Sequence, residues 1–287
     1  MPELPEVEIV KKSLFKMINK AKITNVTINN KNLRYKIAKN FSKSLVGEKI
    51  FNISRRSKYL IFHLKKKYIL IHLGMTGKIL LFKKKSNELL KTSFYYDMNI
   101  LPKHNHIYFT LSNGFNLIYN DVRRFGFFKF YKDTKLNDIS HLKKLGTEPL
   151  SSIFNTKYFK KYVKNKKRNV KNLLMDQKFV SGLGNIYVNE ALFLSKIQPL
   201  RLAGSLTTKE INKLIINIKS ILKIAVIKGG SSIRDFKNIS GKTGSFQQFF
   251  RVYGKENNKC SRISCTGRII KIFISNRSSF YCKKCQN

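Results

Sequence analysis

The chain has 287 residues, long for a single core, and 42% of them are apolar, so two domains of ordinary size are expected and compositional disorder is excluded. Lysine and arginine total 58 against 15 acidic residues, a net charge of +43. A surplus of that size repels itself unless a polyanion neutralises it, which points to nucleic acid, although AT-rich codons also favour lysine and part of the charge is simply solvated surface.

The chain opens with Glu3, Glu6 and Glu8 and no apolar leader, and no run reaches the roughly 18 residues of a membrane span; 68–73 is short and strand-like. A cytoplasmic, nucleoid-associated monomer with no membrane partner is therefore expected. Residues 3–19 read as a helix, with Val7, Val10, Leu14 and Met17 at helical spacing, glutamates early and lysines late. Short segments rich in β-branched and aromatic residues follow: ITNVTI, KIFNIS, YLIFHL, YILIHL, HIYFTL, FNLIYN and FGFFKFY. Several alternate, predicting an antiparallel β-sandwich or barrel over 20–132, interrupted by a long lysine-rich loop at 83–105. Helical periodicity then takes over at 158–165, 170–177, 186–195 and 207–227. Thr207 and Glu210 are spaced as a capping box, and Gly229-Gly230 stops the last helix. From Phe249 a small β-hairpin module carries all four cysteines. The fold class is α+β, divided as 1–132, 133–248 and 249–287.

Five motifs carry chemistry. In Met1-Pro2-Glu3-Leu4-Pro5-Glu6, removal of Met1 would expose a secondary amine at Pro2. An α-amino group has a pKa near 7.7–8.0, so a useful fraction is neutral and able to attack a carbon of carbonyl character, here a sugar C1′. Glu3 could then move protons beside it. The plainer reading is a helix-starting proline with acids complementing the helix dipole. The fifth motif, Cys260-x4-Cys265-x16-Cys282-x2-Cys285, offers four thiolates in two close pairs, which fits one tetrahedral structural zinc. Two histidines, His104 and His106, lack acidic or cysteine partners nearby and are not read as a metal site.

PELPEVE at the extreme N-terminus resembles the opening of the formamidopyrimidine-DNA glycosylase family, and Leu4 favours its purine-repair branch over the related endonuclease VIII group. Arg55-Arg56-Ser57-Lys58-Tyr59-Leu60 and the HLGMTG run at 72–77 resemble the family's second motif. Lys103-His104-Asn105-His106 and Asp121-Val122-Arg123-Arg124-Phe125-Gly126 resemble its third, with Asn105 for the usual Asp and Val122 for the usual Pro. Lys166-Lys167, Lys171 and Gly182-Leu183-Gly184-Asn185 resemble its helix–two-turns–helix, and 240–246 its lesion-capping loop. The resemblance implies a bifunctional DNA glycosylase/AP lyase of base excision repair that removes 8-oxoguanine and formamidopyrimidines from damaged double-stranded DNA held in a basic cleft between the domains. It implies a Schiff-base nucleophile at Pro2, an acid/base at Glu3, a phosphate-contacting lysine at Lys58 that assists elimination, and a finger arginine, Arg277, linked to δ-elimination. It implies DNA contacts at His104, Lys167, Lys171 and Asn185. Met75, Arg123 and Phe125 would fill the space left by the extruded nucleotide, with Arg123 reading the orphaned cytosine. The first cysteine pair is spaced x4 where the family uses x2. The competing expectation is a non-catalytic, zinc-containing DNA-binding protein descended from such an enzyme.

Overall fold

The computed structural model describes residues 1–83, 88–90, 100–164, 166–231 and 245–287. They form two compact units, Met1–Lys143 with Lys228–Gln247, and Lys144–Ile227 with Gln248–Asn287.

The first unit begins with α1 (Leu4–Ile18), capped by Glu3 in extended backbone and buried through Val7, Val10, Leu14 and Ile18, as the helical spacing predicts. Then come β1 (Ile23–Ile28), a short α2 (Phe41–Leu45), β2 (Asn52–Arg56), β3 (Tyr59–Leu64), β4 (Lys67–His72), β5 (Lys78–Lys83), β6 (Glu88–Leu90), β7 (Asn105–Leu111), β8 (Phe115–Asn120) and β9 (Phe127–Lys132). They pair antiparallel into a five-stranded sheet ordered β1-β7-β8-β5-β6 and a four-stranded sheet ordered β2-β3-β4-β9. Apolar side chains of both sheets and α1 share one core, with Ile53, Leu60, Ile69 and Phe128 from the smaller sheet and Ile79, Phe109 and Leu117 from the larger. The arrangement is therefore a sandwich. Two strands go beyond the sequence expectation. KILLFK forms β5, and β6 falls inside the stretch expected to be loop; the remainder of 84–99 lies outside the described residues. The first segment of the unit ends with α3 (Ser140–Lys143), and Lys228–Gln247 completes the unit.

The second unit holds α4 (Thr156–Val163), α5 (Val170–Met175), α6 (Asn185–Ser195) and α7 (Thr208–Ile227), then the hairpin β10 (Ile269–Ile274) and β11 (Arg277–Cys282). Asn155 and Asn169 cap α4 and α5 by accepting the amides of Tyr158 and Asn172, at 2.9 and 2.8 Å. The capping box expected before α7 is present: the Thr207 amide donates to Glu210, and the Glu210 amide to Thr207 Oγ1. Helix α6 is buried on nearly every face, consistent with a central helix packed on α5, α7 and β11. Among the described residues, no helix is long and apolar enough to cross a membrane.

Candidate active site

The N-terminal turn is organised by one carboxylate. Glu6 is almost wholly buried; its Oε2 accepts the Glu3 amide at 2.9 Å, and its Oε1 accepts the Ser231 amide at 2.9 Å and the Ser231 hydroxyl at 3.0 Å. Three donors on a buried anion are charge-assisted bonds that fix the first turn of α1 relative to the segment leaving α7. Gly230 makes the approach possible. Its φ is +76°, and a Cβ there would lie 3.1 Å from Ile9 Cδ1 and 3.2 Å from Glu6 Oε1. Pro2 and Glu3 are both buried at this turn, and in the full chain the Pro2 nitrogen is acylated by Met1.

Lys58 stands on the two-residue turn between β2 and β3, where Arg56 pairs with Tyr59 and Ser57 takes φ +57°. Arg55 ties that turn to α1, donating from Nε to Glu8 Oε2 at 2.8 Å and from Nη1 to the Ser57 carbonyl at 2.9 Å. Lys58 is only 6% exposed. Its charge and the chain's N-terminal ammonium both bear on His72, whose imidazole is pushed down to about 4, chiefly by burial and then by Lys58. The His72 ring stacks on Phe127 at 5.7 Å, and its Nδ1 accepts the Gly74 amide at 3.0 Å, which places the proton of the neutral ring on Nε2. Lys58, the N-terminus and His72 thus share one neighbourhood. His72 lies within the HLGMTG run, and nothing in the sequence marks its stacking on Phe127 or its bond to the Gly74 amide.

A second buried carboxylate builds the turns that carry Met75, Arg123 and Phe125. Asp121 accepts Thr76 Oγ1 at 2.5 Å through Oδ1, and Tyr119 Oη and the Gly126 amide, both at 2.9 Å, through Oδ2. Thr76 Oγ1 in turn accepts the Arg123 amide at 3.1 Å. The two turns touch so closely that a Cβ on Gly74 would meet the Gly126 nitrogen at 2.4 Å. With the backbone so held, Met75 is half-buried, Arg123 and Phe125 are exposed, and the Arg123 guanidinium lies 4.5 Å from the Phe125 ring centroid. His104 ends a short 3₁₀ turn, Pro102–His104, and its carbonyl accepts the Asp121 amide at 3.0 Å. Its imidazole is held below the usual histidine range by desolvation and by Lys103. His106 is buried and bonded to the Asp121 carbonyl at 2.7 Å, a structural role.

In the second unit, Gln177 braces the turn between α5 and α6, accepting the Gly182 amide at 2.7 Å and donating to the Met175 and Leu183 carbonyls at 3.1 and 2.9 Å. Lys167 is exposed and Asn185 half-buried at the start of α6. Lys171, expected at a DNA-facing surface, is instead 1% exposed. Its ammonium donates to the Ser278 carbonyl at 2.9 Å and Ser279 Oγ at 2.5 Å. Burial, with Arg277 nearby, pushes its pKa down to about 7. Arg277 is exposed and follows the β10–β11 turn, whose central residues Ser275 and Asn276 have φ +48° and +58°. With Arg168, Asp176, Lys178 and Ser275 it lines a cleft, and Arg168 bridges Asp176 at 2.7 Å.

The four cysteines converge. Their sulfurs all lie within 4.8 Å, with Cys260–Cys285 at 3.8 Å and Cys265–Cys282 at 3.7 Å. A disulfide needs about 2.05 Å, whereas four thiolates each about 2.3 Å from a tetrahedral ion stand about 3.8 Å apart. The cluster thus fits one metal ion. Gly267 is required beside it, since a Cβ there would lie 2.8 Å from Cys282 Sγ. The two extra residues in the first cysteine pair are accommodated. Ser264 takes φ +60°, the Cys265 amide donates to the Arg262 carbonyl at 3.2 Å, and Arg262 donates to the last-turn carbonyls of α6 at Phe193 and Leu194. Glu190, also missed in sequence, accepts the amides of Arg251, Val252 and Tyr253 at 2.8–2.9 Å and secures the entry to the cysteine module.

A two-sheet unit led by a short helix, a helix–two-turns–helix and a four-cysteine hairpin together define a DNA glycosylase of the helix–two-turns–helix class. The N-terminal domain model of formamidopyrimidine-DNA glycosylase matches residues 1–128, and the H2TH domain model of the same enzyme matches 145–237. The chain is 43% identical to formamidopyrimidine-DNA glycosylase of Bartonella tribocorum and 42% identical to that of Wolbachia from Culex pipiens, covering 100% of both chains in each case. Among solved structures it resembles a Lactococcus lactis Fpg variant in complex with a Fapy-dG-containing DNA, with TM-score 0.85, 35% identity and 100% of both chains covered. The wild-type Lactococcus lactis Fpg (MutM) in complex with an oxidized-pyrimidine-containing DNA gives the same values. The chain belongs to the formamidopyrimidine-DNA glycosylase family.

Proposed function

We propose that this chain is a base-excision-repair glycosylase with coupled AP lyase activity, acting on oxidised purines in duplex DNA after loss of Met1. The reading is supported by the charges of Lys58 and the N-terminus both bearing on His72, and by the Glu6 bonds and the Arg55–Glu8 bridge that fix the turns carrying Glu3 and Lys58. The neutral Pro2 nitrogen attacks C1′ of the lesion nucleotide, and the base leaves with the bonding electrons and a proton. Glu3 shuttles protons as the sugar ring opens to an iminium. The iminium acidifies the C2′ proton. Its loss expels the 3′ phosphate, and a second elimination expels the 5′ phosphate, leaving a one-nucleotide gap.

Lys58 binds the phosphate beside the reacting sugar, and Arg277 holds the phosphate expelled in the second elimination. The protein has first to extrude the nucleotide, since a stacked base cannot be reached. Met75 and Phe125 fill the vacated space, and Arg123 offers paired donors to the orphaned base. His104, Lys167 and Asn185 contact backbone phosphates, while Lys171 serves the finger from within. Cys260, Cys265, Cys282 and Cys285 would hold zinc, which would supply folding energy to a module with little core of its own. By role the chain divides into 1–132 for chemistry, 133–248 for the phosphate grip and 249–287 for the finger, and the enzyme acts on DNA in the cytoplasm. The test is excision from duplexes carrying 8-oxoguanine opposite cytosine or thymine glycol. Preferential release of 8-oxoguanine with phosphate at both gap ends is expected. No cleavage of either duplex by correctly processed, zinc-loaded protein would overturn the repair reading, and preference for thymine glycol its purine specificity.

A further inference from the structure

We propose that Lys171, Asn185 and Asn189 form a clamp on the backbone of residues 278–280 that sets the position of Arg277, making Lys171 and Asn189 positioning residues for the second elimination. The inference rests on the role given to Arg277 above. Two side chains converge on one carbonyl: Lys171 Nζ and Asn185 Nδ2 each donate to Ser278 O at 2.9 Å. Lys171 also donates to Ser279 Oγ at 2.5 Å. One helical turn beyond Asn185, Asn189 Oδ1 accepts the Phe280 amide at 2.8 Å while its Nδ2 donates to the Asn185 carbonyl at 2.6 Å. Three successive residues after Arg277 are therefore gripped by α5 and α6, and Lys171 and Asn189 are at most 1% exposed.

The alternative for Lys171, a direct phosphate contact, would compete with the bonds its ammonium already makes to Ser278 and Ser279. Here the charge is buried with two oxygen partners, and burial depresses its pKa to about 7. A buried lysine that only stabilised the fold would be a poor choice, because an apolar residue of similar volume is often neutral or better in such a place. What the ammonium adds is direction. It ties Ser278 O to α5, so the exposed Arg277 leaves a strand whose height and twist are fixed before any ligand arrives. Arginine acts through paired donors, and misplacement of such a fork by about 1 Å is enough to lose on the order of 10²-fold in rate.

The experiment uses the full-length, zinc-loaded protein with Lys171→Met and, independently, Asn189→Leu. Hydrogen exchange of the segment 277–282 is measured by mass spectrometry, and the ratio of δ- to β-elimination products on a preformed abasic site is measured in parallel. Exchange in that segment is expected to quicken at least about tenfold in both variants. The δ-to-β ratio should fall at least about fivefold while borohydride-trapped adduct and DNA affinity stay within about twofold of wild type. Metal content of one per chain confirms that the finger is folded, and Asn189→Leu decides the question if Lys171→Met does not fold. Unchanged exchange overturns the clamp. So does a loss in which both eliminations and DNA affinity fall together, the pattern of a direct phosphate contact. If wild-type protein shows no elimination, the repair reading fails, while the exchange measurement still decides the clamp.

Discussion

The two units hold their functional side chains by opposite means. The N-terminal turn of the first unit rests on a large apolar core shared by α1 and both sheets, and two buried carboxylates, Glu6 and Asp121, add only local aim. The cysteine hairpin of the second unit has a small apolar cluster, essentially Phe193, Val252, Ile269 and Phe280 with two of the cysteines. It is held instead by four thiols, by Glu190 and Gln286, and by the Lys171–Asn185–Asn189 clamp. A catalytic turn built on a deep core tolerates loss of a polar contact by losing rate. A finger with so small an apolar cluster loses its fold when the metal ligands are lost.

The sharpest way to break this contrast is to take the metal away. Chelation, or Cys282→Ser, is expected to unfold residues 250–287, because structural zinc supplies on the order of 10 kcal/mol to such modules. The first unit should keep its own unfolding transition, as followed by calorimetry with hydrogen exchange. A finger that stays protected without metal would refute the distinction. Next in size, Glu3→Gln should lower base excision by roughly 10²–10⁴-fold while leaving metal content and thermal midpoint unchanged. Single-turnover kinetics check this, and a matching fall in stability would mean that Glu3 is structural.

A third effect comes from His72. Its folded pKa, about 4, lies below the ordinary 6.5, so between those values the unfolded chain binds a proton that the folded chain refuses. Stability contributed by the neutral ring is complete above 6.5 and is lost as pH falls towards 4, about 2–3 kcal/mol by pH 4.5. Urea midpoints of wild type and His72→Gln at pH 7 and 4.5 should show the steeper loss in wild type. Equal slopes would remove His72 from the buried site. The smallest effect is at the α7 cap. Thr207→Ala should cost about 1 kcal/mol with no change in excision rate, which checks that stability and activity can be separated.

Much of this was legible in the sequence for identifiable reasons. Period-two alternation exposed most strands, and helical periodicity exposed the helices of the second unit, with Thr207–Glu210 a local signal for the start of α7. KILLFK ran into a lysine-rich stretch and so concealed β5, and Phe41–Leu45 is too short to show periodicity. Pro2, Glu3, Lys58 and the cysteines were readable because local motifs mark them. Glu6, His72, Asp121, Glu190 and Asn189 were not. Glu6, Glu190 and Asn189 act by meeting backbone amides far away in sequence, such as Ser231 for Glu6 and Phe280 for Asn189, and no spacing records that. His72 and Asp121 bond the nearby Gly74 and Gly126 amides, contacts that only the folded turns bring together. Lys171 resembles any other lysine in a chain with 58 basic residues until its burial is seen.

The central claim is that the imino nitrogen of Pro2 is the nucleophile, and covalent capture tests it most directly. Processed protein is incubated with an 8-oxoguanine duplex and borohydride, and the adduct is digested and mapped by mass spectrometry. The expected result is one DNA remnant on the peptide beginning at Pro2, absent from protein that retains Met1. Capture on a lysine side chain, or equal capture with Met1 in place, would contradict it.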